Sequence, residues 1–311
     1  DLALATSMVD LATLRGLVPG LSRVPTALYF HENQFAYPPG QRKHSLLEAQ
    51  MVSLYAALAA ERLLFNSRYN LDSFLAGCGD LLARLPDKVP SGIPGRLADK
   101  AHVLPVPVDV EQFSAGSSAW PGTPDGPGRP MRLLWLGRFE HDKGGEHLLA
   151  VLERLESLSV TYELAVVGQR FRRSPPAFSA ISAAFGHRLV QFGYVQERED
   201  YRALLAGADL VLSTALHEFQ GLAVMEAVAA GCVPVVPDRL AYAELYPPPF
   251  RYASIPEDRE QPAKAATDCL LKAWSDMQAG RLKAPDLQRF SLVSMGPEYR
   301  SLLGGLEGPA G

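Results

Sequence analysis

The segment STALHEFQGLAVMEAVAAGCVPVVP, residues 213–237, carries two glutamates, Glu218 and Glu226, with seven residues between them. The apolar run DLVLSTA (209–215) leads into it and predicts a buried strand. A helical pattern follows, and the apolar run VPVVP (233–237) predicts the next strand. Strand, turn, helix and strand in this order are typical of a parallel sheet with crossover helices.

The same alternation of apolar runs and helical patterns extends along most of the chain. The other predicted strands are TALYF (26–30), RLLF (62–65), HVLPV (102–106), MRLLWLG (131–137), YELAVVG (162–168) and RLVQFG (188–193). Residues 112–130 are rich in Gly, Pro and Ser, a composition typical of a linker. The sequence predicts an α/β protein of two Rossmann-like domains with parallel sheets facing each other across a cleft. Their predicted bounds are 1–111, linker 112–130, second domain 131–257, and two amphipathic helices in 258–311.

Composition limits the possible partners. The 311 residues are 47% hydrophobic and 21% charged, with a formal net charge of -4. No global field therefore attracts the chain to nucleic acids or acidic membranes, so an anionic partner needs a local basic cluster. The three cysteines have no metal-ligand spacing and predict reduced thiols in a cytoplasmic protein. No apolar stretch reaches the roughly 18 residues of a membrane span.

The two glutamates lie where an open parallel sheet binds ligands, at the carboxyl ends of its strands. Gly221 permits close backbone approach before the next helix, and the N-terminus of a helix attracts phosphate. The alternative is structural: Glu218 caps the helix and Glu226 is solvated. The apolar neighbours of Glu226 argue against a free surface.

Two cations follow the strand at 131–137, in LWLGRFEHDKGG (134–145). Arg138 and Lys143 are expected to point to the same rim and to neutralise a diphosphate leaving group. The chain has no Asp-x-Asp pair to hold a metal at a strand end, so fixed positive charge is expected and no metal. The alternative is a solvated turn in which Asp142 caps the next helix.

A third polar group follows the strand at 26–30, in YFHENQFAYPPG (29–40). His31 and its three polar neighbours are four consecutive side chains that can donate or accept hydrogen bonds, which favours sugar or base recognition. A lone histidine is more often structural.

Further along, Ser67 of FNS (65–67) is expected to cap a helix. The arginines of GQRFRRS (168–174) flank a phenylalanine and could contact RNA phosphate.

These motifs resemble those of the retaining, nucleotide-sugar-dependent glycosyltransferases of family four, which have the GT-B fold. The resemblance rests on Glu218 and Glu226 with Gly221 between them, and on the cation pair in GRFEHDKG. The motifs YFHENQFAYP and FNS are similar, more narrowly, to the tRNA-queuosine mannosyltransferase group. That group is implied to move mannose from GDP-mannose onto queuosine in tRNA.

The resemblance implies roles for the donor-side residues. Glu226 would accept hydrogen bonds from the ribose of the donor, and Glu218 would lie near its sugar. The backbone after Gly221, beginning at Leu222, would meet the sugar or the phosphates. Retention would depend on the leaving phosphate guiding the incoming hydroxyl to the same face of the sugar.

The resemblance also implies that Arg138 and Lys143 stabilise the departing nucleoside diphosphate, and that His31 reaches the sugar from the first domain. Such enzymes begin with a strand and a Gly-rich turn, whereas this chain starts with DLALATSMVDLA, so its first domain is predicted to be incomplete. Three alternatives remain: a family-four enzyme with a glycan, lipid or small-molecule acceptor, a GT-B epimerase, and a non-catalytic binding module. The sequence does not indicate the nucleotide base or the oligomeric state.

Overall fold

The chain forms two compact α/β units. A computed structural model describes residues 1–36, 43–86, 88–114, 118–171 and 174–306, without the side chains of 43–45. The first unit comprises Asp1–Val106 and a C-terminal portion that begins at Val293. The second unit is Pro107–Leu292. Each unit contains its own parallel sheet.

The first unit contains a four-stranded parallel sheet in the order β1-β2-β3-β4. Its strands are β1 (Ala3–Thr6), β2 (Thr26–Phe30), β3 (Arg62–Phe65) and β4 (Ala101–Val103). Its helices are α1 (Leu11–Leu17), α2 (Lys43–Ala59), α3 (Arg68–Arg84), α4 (Ile93–Ala98) and α12 (Leu292–Gly304). Neither β1 nor α1 was predicted, because β1 is only four residues long and alternates in burial.

The core of the first unit forms because its central strands are apolar on both faces. Every residue of β2 is buried. The Phe30 ring stacks on Phe65 at 4.5 Å and lies 4.6 Å from Phe74, which joins β2, β3 and α3. Ser67 begins α3 as its N-cap, since its hydroxyl accepts the Asn70 N–H at 3.0 Å. The predicted helix cap is confirmed.

The second unit contains a six-stranded parallel sheet in the order β10-β9-β8-β5-β6-β7. Its strands are β5 (Met131–Leu136), β6 (Tyr162–Val167), β7 (Leu189–Gly193), β8 (Leu210–Leu212), β9 (Val233–Pro237) and β10 (Arg251–Tyr252). Its helices are α5 (Val110–Ser114), α6 (Gly145–Ser157), α7 (Pro176–Ala184), α8 (Arg198–Gly207), α9 (Leu222–Ala229), α10 (Tyr242–Leu245) and α11 (Glu260–Gln278). The chain leaves β5 in one direction and returns to its other side at β8. Ligands bind at such a switch point in doubly wound folds.

The unit boundaries differ from the predicted domain boundaries. Residues 118–130 of the predicted linker pack on the second unit, where the Trp120 indole N–H donates to Glu163 at 2.6 Å. Of the two predicted C-terminal helices, α11 packs against α6 in the second unit. Helix α12 belongs to the first unit, where the Arg62 guanidinium donates to the Leu302 carbonyl. A segment rich in Gly, Pro and Ser can still pack on a domain, and the amphipathicity of a helix does not show which unit the helix packs against.

No helix in the described part of the chain is long and apolar enough to cross a bilayer.

Candidate functional site

The loops that follow β5 and β8 are hydrogen-bonded to each other at the switch point of the second sheet. The backbone N–H groups of Leu216 and His217 donate to the Asp142 carbonyl at 2.8 and 3.1 Å. The Thr214 hydroxyl donates to the Lys143 carbonyl at 3.1 Å and accepts the Trp135 indole N–H at 2.9 Å. These bonds bring the cation motif and the glutamate motif together.

Gly144 makes this close approach possible. Its φ is 70°, in the left-handed region that favours glycine. A Cβ atom there would lie 1.9 Å from the Thr214 carbonyl oxygen. The second glycine of the DKGG motif, Gly145, begins α6, whereas Asp142 lies in the preceding 3-10 turn. Asp142 is therefore not the cap of α6, contrary to the simpler explanation of this segment.

Lys143 and Glu218 form an ion pair at the end of the two strands. The Lys143 Nζ lies 3.0 Å from Glu218 Oε2 and 3.4 Å from Asp142 Oδ2. The Lys143 and Glu218 side chains are only 16% and 22% exposed. Burial disfavours the Lys143 ammonium, but the Glu218 and Asp142 carboxylates outweigh it and raise the pKa of Lys143.

Glu218 is bound by the loop that leads into α9. Burial would raise the pKa of Glu218, but Lys143 and backbone N–H groups lower it. Its Oε1 accepts the Phe219 N–H at 3.0 Å. Among the described residues no side chain caps α9, whose N-cap is Gly221 with φ of 75°. Glu218 is therefore an ionised partner of Lys143 and not a helix cap.

Arg138 is the more exposed of the two predicted cations. Its side chain is 51% exposed, and its guanidinium lies 3.0 Å from Glu140 and 3.8 Å from Asp142. The Asp142 carboxylate thus faces both Arg138 and Lys143, which places the two cations at the same strand end. A ligand can reach Arg138 directly, because half of its side chain is open to solvent.

A cavity of about 490 Å³ opens at the carboxyl edge of the second sheet. Arg138 lines it on the β5 side, and Glu226 lines it from α9. The segments after β6 and β7 and the helix α8 supply the rest of its walls. Such a volume suits a nucleotide-sized ligand.

Glu226 points into this cavity and is held by α8. The Tyr201 hydroxyl donates to Glu226 Oε2 at 2.8 Å. Burial raises the pKa of Glu226, and the hydrogen bond from Tyr201 and the charge of Arg198 offset part of that rise. The interpretation of Glu226 as a solvated surface residue is wrong. Leu222, the first residue of α9, is 38% exposed.

In the first unit, His31 lies just past the carboxyl end of β2. Its ring is exposed and lies 4.6 Å from the Tyr29 ring. The Asn66 amide donates to the His31 carbonyl at 2.8 Å and ties this turn to the end of β3. His31 is therefore placed to contact a ligand at the edge of the first sheet.

Asn33, two residues further on, is structural. It is 1% exposed, and its amide donates to Asn70 Oδ1 at 2.8 Å and to Ser73 Oγ at 2.9 Å. Its side-chain oxygen accepts the N–H groups of Phe35 and Ala36. Asn33 is therefore not available for the sugar or base recognition that the polar run HENQ favours, since its polar atoms are used within the turn.

Sequence reasoning missed two residues of the cavity, Arg198 and Tyr201. They lie three positions apart in α8 and therefore on one face of that helix. It also missed His217, which is 3% exposed beside Lys143. Burial and the Lys143 charge lower the pKa of His217 to about 4.

The sequence offers Arg42, Lys43 and Arg68, besides the arginines of GQRFRRS, as candidate RNA-contacting cations, and the structure describes only some of them. The Arg170 guanidinium lies over the Phe192 and Phe139 rings, at 4.9 and 5.7 Å. Arg68 is exposed and lies 3.9 Å from Asp72. The side chains of Arg42, Lys43, Arg172 and Arg173 lie outside the described residues. Within the described ranges, no three His, Cys, Asp or Glu side chains are grouped to hold a metal ion.

Comparison with known proteins places the chain in a family. A family model for family 4 glycosyltransferases in conflict systems matches residues 76–240, more than half of the chain. The chain belongs to the family 4 glycosyltransferases. A second family model, for the N-terminal part of tRNA-queuosine alpha-mannosyltransferase, matches residues 1–108 of this glycosyltransferase. The resemblance drawn from the motifs is confirmed.

Two curated relatives are mannosyltransferases. The tRNA-queuosine alpha-mannosyltransferase of Drosophila melanogaster is 36% identical over 245 residues, covering 78% of this chain and 65% of the relative. A GDP-mannose:cellobiosyl-diphosphopolyprenol alpha-mannosyltransferase of Xanthomonas oryzae pv. oryzae is 28% identical over 190 residues, covering 61% of this chain and 43% of the relative. This glycosyltransferase therefore spans less than two thirds of the length of either relative.

Solved structures share the fold. Anabaena HepE in complex with UDP matches with a TM-score of 0.67 at 17% identity, covering 98% of this chain and 79% of that chain. Sucrose-phosphate synthase from Thermosynechococcus elongatus matches with a TM-score of 0.68 at 17% identity, covering 98% of this chain and 74% of that chain. The predicted α/β fold of the GT-B class, with two parallel sheets, is confirmed.

Proposed function

We propose that this glycosyltransferase moves mannose from GDP-mannose onto queuosine in tRNA and retains the configuration of the sugar. The observation that carries the transferase chemistry is the half-buried Lys143–Glu218 pair at the switch point, next to Arg138 and the cavity. The tRNA acceptor is supported by the match of residues 1–108 to the N-terminal part of the queuosine enzymes. Mannose is supported by the names of both curated relatives.

In this proposal the nucleoside diphosphate of the donor occupies the cavity of the second unit. Glu226 accepts hydrogen bonds from the ribose, because it lines the cavity and keeps acceptor positions beyond the one on Oε2 that Tyr201 occupies. Arg138 and Lys143 face the diphosphate at the end of β5. Fixed cations there stabilise the charge that develops on a leaving diphosphate.

The proposed transfer exchanges one bond at C1 of mannose for another. The bond between C1 of mannose and the diphosphate oxygen breaks, and the acceptor hydroxyl oxygen bonds to C1 on the same face. The proton of that hydroxyl passes to the departing diphosphate. Glu218 lies beside the sugar and keeps Lys143 in place.

Incubation with nucleotide sugars and tRNA tests the proposal. The full-length protein is mixed with radiolabelled GDP-mannose, GDP-glucose or UDP-sugars and with tRNA that contains or lacks queuosine. We expect acid-precipitable label only from GDP-mannose and only with queuosine tRNA. Equal labelling of tRNA that lacks queuosine would refute the acceptor, and label from another nucleotide sugar would refute the donor.

We further propose that no metal ion takes part, since Arg138 and Lys143 supply the positive charge. The expected result is that EDTA leaves the rate within about twofold of the untreated enzyme. Complete loss of activity that Mn²⁺ restores would contradict this.

A cytoplasmic location also stays a prediction, and the three free cysteines, two of them buried, accord with it.

A second candidate acceptor is a lipid-linked glycan. The Xanthomonas relative is named for a cellobiosyl-diphosphopolyprenol acceptor. Adding such a lipid to the same assay distinguishes the two candidates, because the donor side is shared. Label that moves into the organic phase and not into tRNA would favour the lipid.

A further inference from the structure

In the cavity of the second unit, Glu226 of the family motif contacts a residue that the motifs do not include. Tyr201 of α8 and Glu226 of α9 both line it, and the Tyr201 hydroxyl donates to Glu226 Oε2 at 2.8 Å. Burial holds the Tyr201 hydroxyl protonated, since its pKa is raised far above the ordinary value. Tyr201 is therefore a permanent donor to one oxygen of this carboxylate.

The bond restricts how Glu226 can meet a ligand. A carboxylate has two oxygens and about four acceptor positions. With Oε2 engaged by Tyr201, the Oε1 atom and the remaining position on Oε2 are directed to other donors. The 2′ and 3′ hydroxyls of a ribose are two adjacent donors that match two such acceptor positions. A 2′-deoxyribose has only one.

A second residue of α8 supports the charge of Glu226. Arg198 lines the same cavity, and its positive charge favours the ionised carboxylate. The Arg198 guanidinium donates to Gln112 Oε1 of α5 at 2.7 Å, which fixes its position. The carboxylate is thus oriented by a hydrogen bond on one side and stabilised by a charge on the other.

We infer that Tyr201 is a positioning residue that orients Glu226 toward the ribose diol and makes the donor site select ribonucleotides over 2′-deoxyribonucleotides. The inference rests on the proposed function, because it takes the ligand of this cavity to be a nucleoside diphosphate. A site built to accept a hydrogen bond from a hydroxyl rejects the analogue that lacks it, since a buried acceptor is then left unpaired.

Binding measurements with matched nucleotides test this. Isothermal titration calorimetry at pH 7.5 gives the affinity of the protein for GDP, UDP and their 2′-deoxy counterparts. For whichever ribonucleotide binds better, we expect the wild type to bind the 2′-deoxy form at least about tenfold more weakly. In Tyr201→Phe and in Glu226→Ala that ratio should fall to about threefold or less.

The matched control is Tyr162→Phe. Tyr162 is also a buried tyrosine of the second unit, but it is the first residue of β6. It therefore lies at the amino ends of the strands, whereas the cavity lies at their carboxyl ends. Removing its hydroxyl should leave the ribo-to-deoxy ratio as in the wild type. A merely structural role of Tyr201 would weaken both nucleotides equally in Tyr201→Phe and leave the ratio unchanged.

A pH series supplies a second readout. Burial already raises the pKa of Glu226, and loss of the Tyr201 hydrogen bond raises it further. As the pH falls, nucleotide binding should therefore begin to weaken at a higher pH in Tyr201→Phe than in the wild type. The affinity of Tyr201→Phe should fall by about tenfold at the low end of the series and should recover as the pH rises.

The outcomes separate the two proposals. If the wild type binds neither GDP nor UDP, the nucleotide site itself is refuted, and this inference with it. If the wild type binds a ribonucleotide but the ratio is unchanged in Tyr201→Phe, only the role of Tyr201 is refuted. If Tyr201→Phe does not fold, the wild-type ratio still decides, because a value near one would refute the selection of ribose.

Discussion

At the scale of single residues, charge is concentrated at the end of β5 and β8. Lys143 is held between two carboxylates, and Glu218 between Lys143 and the backbone N–H groups of its own loop. Removing either partner leaves a poorly exposed charge with its nearest compensating charge lost, which is costly in a low-dielectric site. The pair therefore serves both the structure of the loops and the proposed chemistry.

Replacement of Lys143 by alanine should reduce turnover about a hundredfold or more, because a fixed positive charge is lost at the leaving diphosphate. Steady-state rates with labelled donor measure this. Lys272→Ala is the matched control, since Lys272 is an exposed lysine of α11 paired with Asp276. A Lys143→Ala enzyme with the wild-type rate would remove Lys143 from the donor site.

Substitutions of the two glutamates should affect different kinetic constants. Glu226→Ala is expected to raise the KM for the donor with a smaller change in kcat, because a ribose contact is made equally before and during reaction. Glu218→Gln is expected mainly to lower kcat, since Glu218 lies beside Lys143, where charge develops. Initial rates over a range of donor concentrations give both constants. If both variants change KM alone, the assignment of separate roles fails.

His217 should make stability depend on pH. Its folded-state pKa, about 4, lies below the ordinary value of 6.5, so between these values the unfolded chain binds more protons. The free energy of unfolding should therefore decrease as the pH falls from 6.5 toward 4, and His217 should account for roughly 3 kcal/mol of that decrease. Urea unfolding of His217→Gln should show a shallower loss over that range. Substitution of the exposed His187 by Gln should leave the wild-type slope, and equal slopes in all three proteins would contradict the prediction.

At the scale of elements, the loop after β5 is fixed by its contact with the loop after β8. The left-handed turn at Gly144 brings α6 to its starting point and places the backbone against Thr214. Leu216 and His217 then donate to the Asp142 carbonyl. The position of Lys143 is therefore a property of the two loops together and not of either motif alone.

Gly144→Ala should consequently be severely destabilising. Gly144 and Gly280 both have φ near 70°, but a Cβ atom on Gly144 would overlap the Thr214 carbonyl, while a Cβ atom on Gly280 would meet nothing. We expect Gly280→Ala to cost about 1–2 kcal/mol from backbone strain alone. Gly144→Ala should cost at least about 4 kcal/mol or prevent folding. Urea unfolding measures both, and equal losses would show that the loops separate at little cost.

At the scale of the whole molecule, the net charge of -4 does not favour binding of a nucleic acid. In the proposed function, affinity for tRNA would have to come from local cations in either unit. Among the residues that the structure describes, Arg68 is exposed on α3, and Arg170 lies over two phenylalanine rings. Sequence adds Arg42, Lys43, Arg172 and Arg173 as further candidates.

We therefore expect tRNA affinity to fall steeply with salt. Each phosphate contact adds about -0.7 to -0.9 to the log–log slope, so a handful of contacts predicts a loss of about tenfold to a thousandfold between roughly 50 and 200 mM salt. Binding of GDP should change far less, which makes it the internal control. Filter binding and calorimetry across the salt series measure the two affinities. Equal salt dependence would indicate that tRNA is not held through phosphates.

Much of the fold could be predicted from local patterns. The apolar runs TALYF, RLLF and VPVVP became strands with the predicted bounds, because strands buried on both faces need continuous apolar sequence. The placement of Glu226 away from free solvent likewise followed from its apolar neighbours. These features depend on residues within one turn or one strand of each other.

The rest was decided by contacts between residues far apart in the chain. Tyr201 meets Glu226 across 25 positions, and Lys143 meets Glu218 across 75. The assignment of α12 to the first unit depends on Arg62, which lies 240 positions from Leu302. The sequence by itself determined the described strands other than β1 and β10, the rim position of the charged motifs and the family. Only the tertiary structure decided which partner each charge has and that Asn33 is structural, because pairing energies depend on distance in space, which sequence separation does not specify.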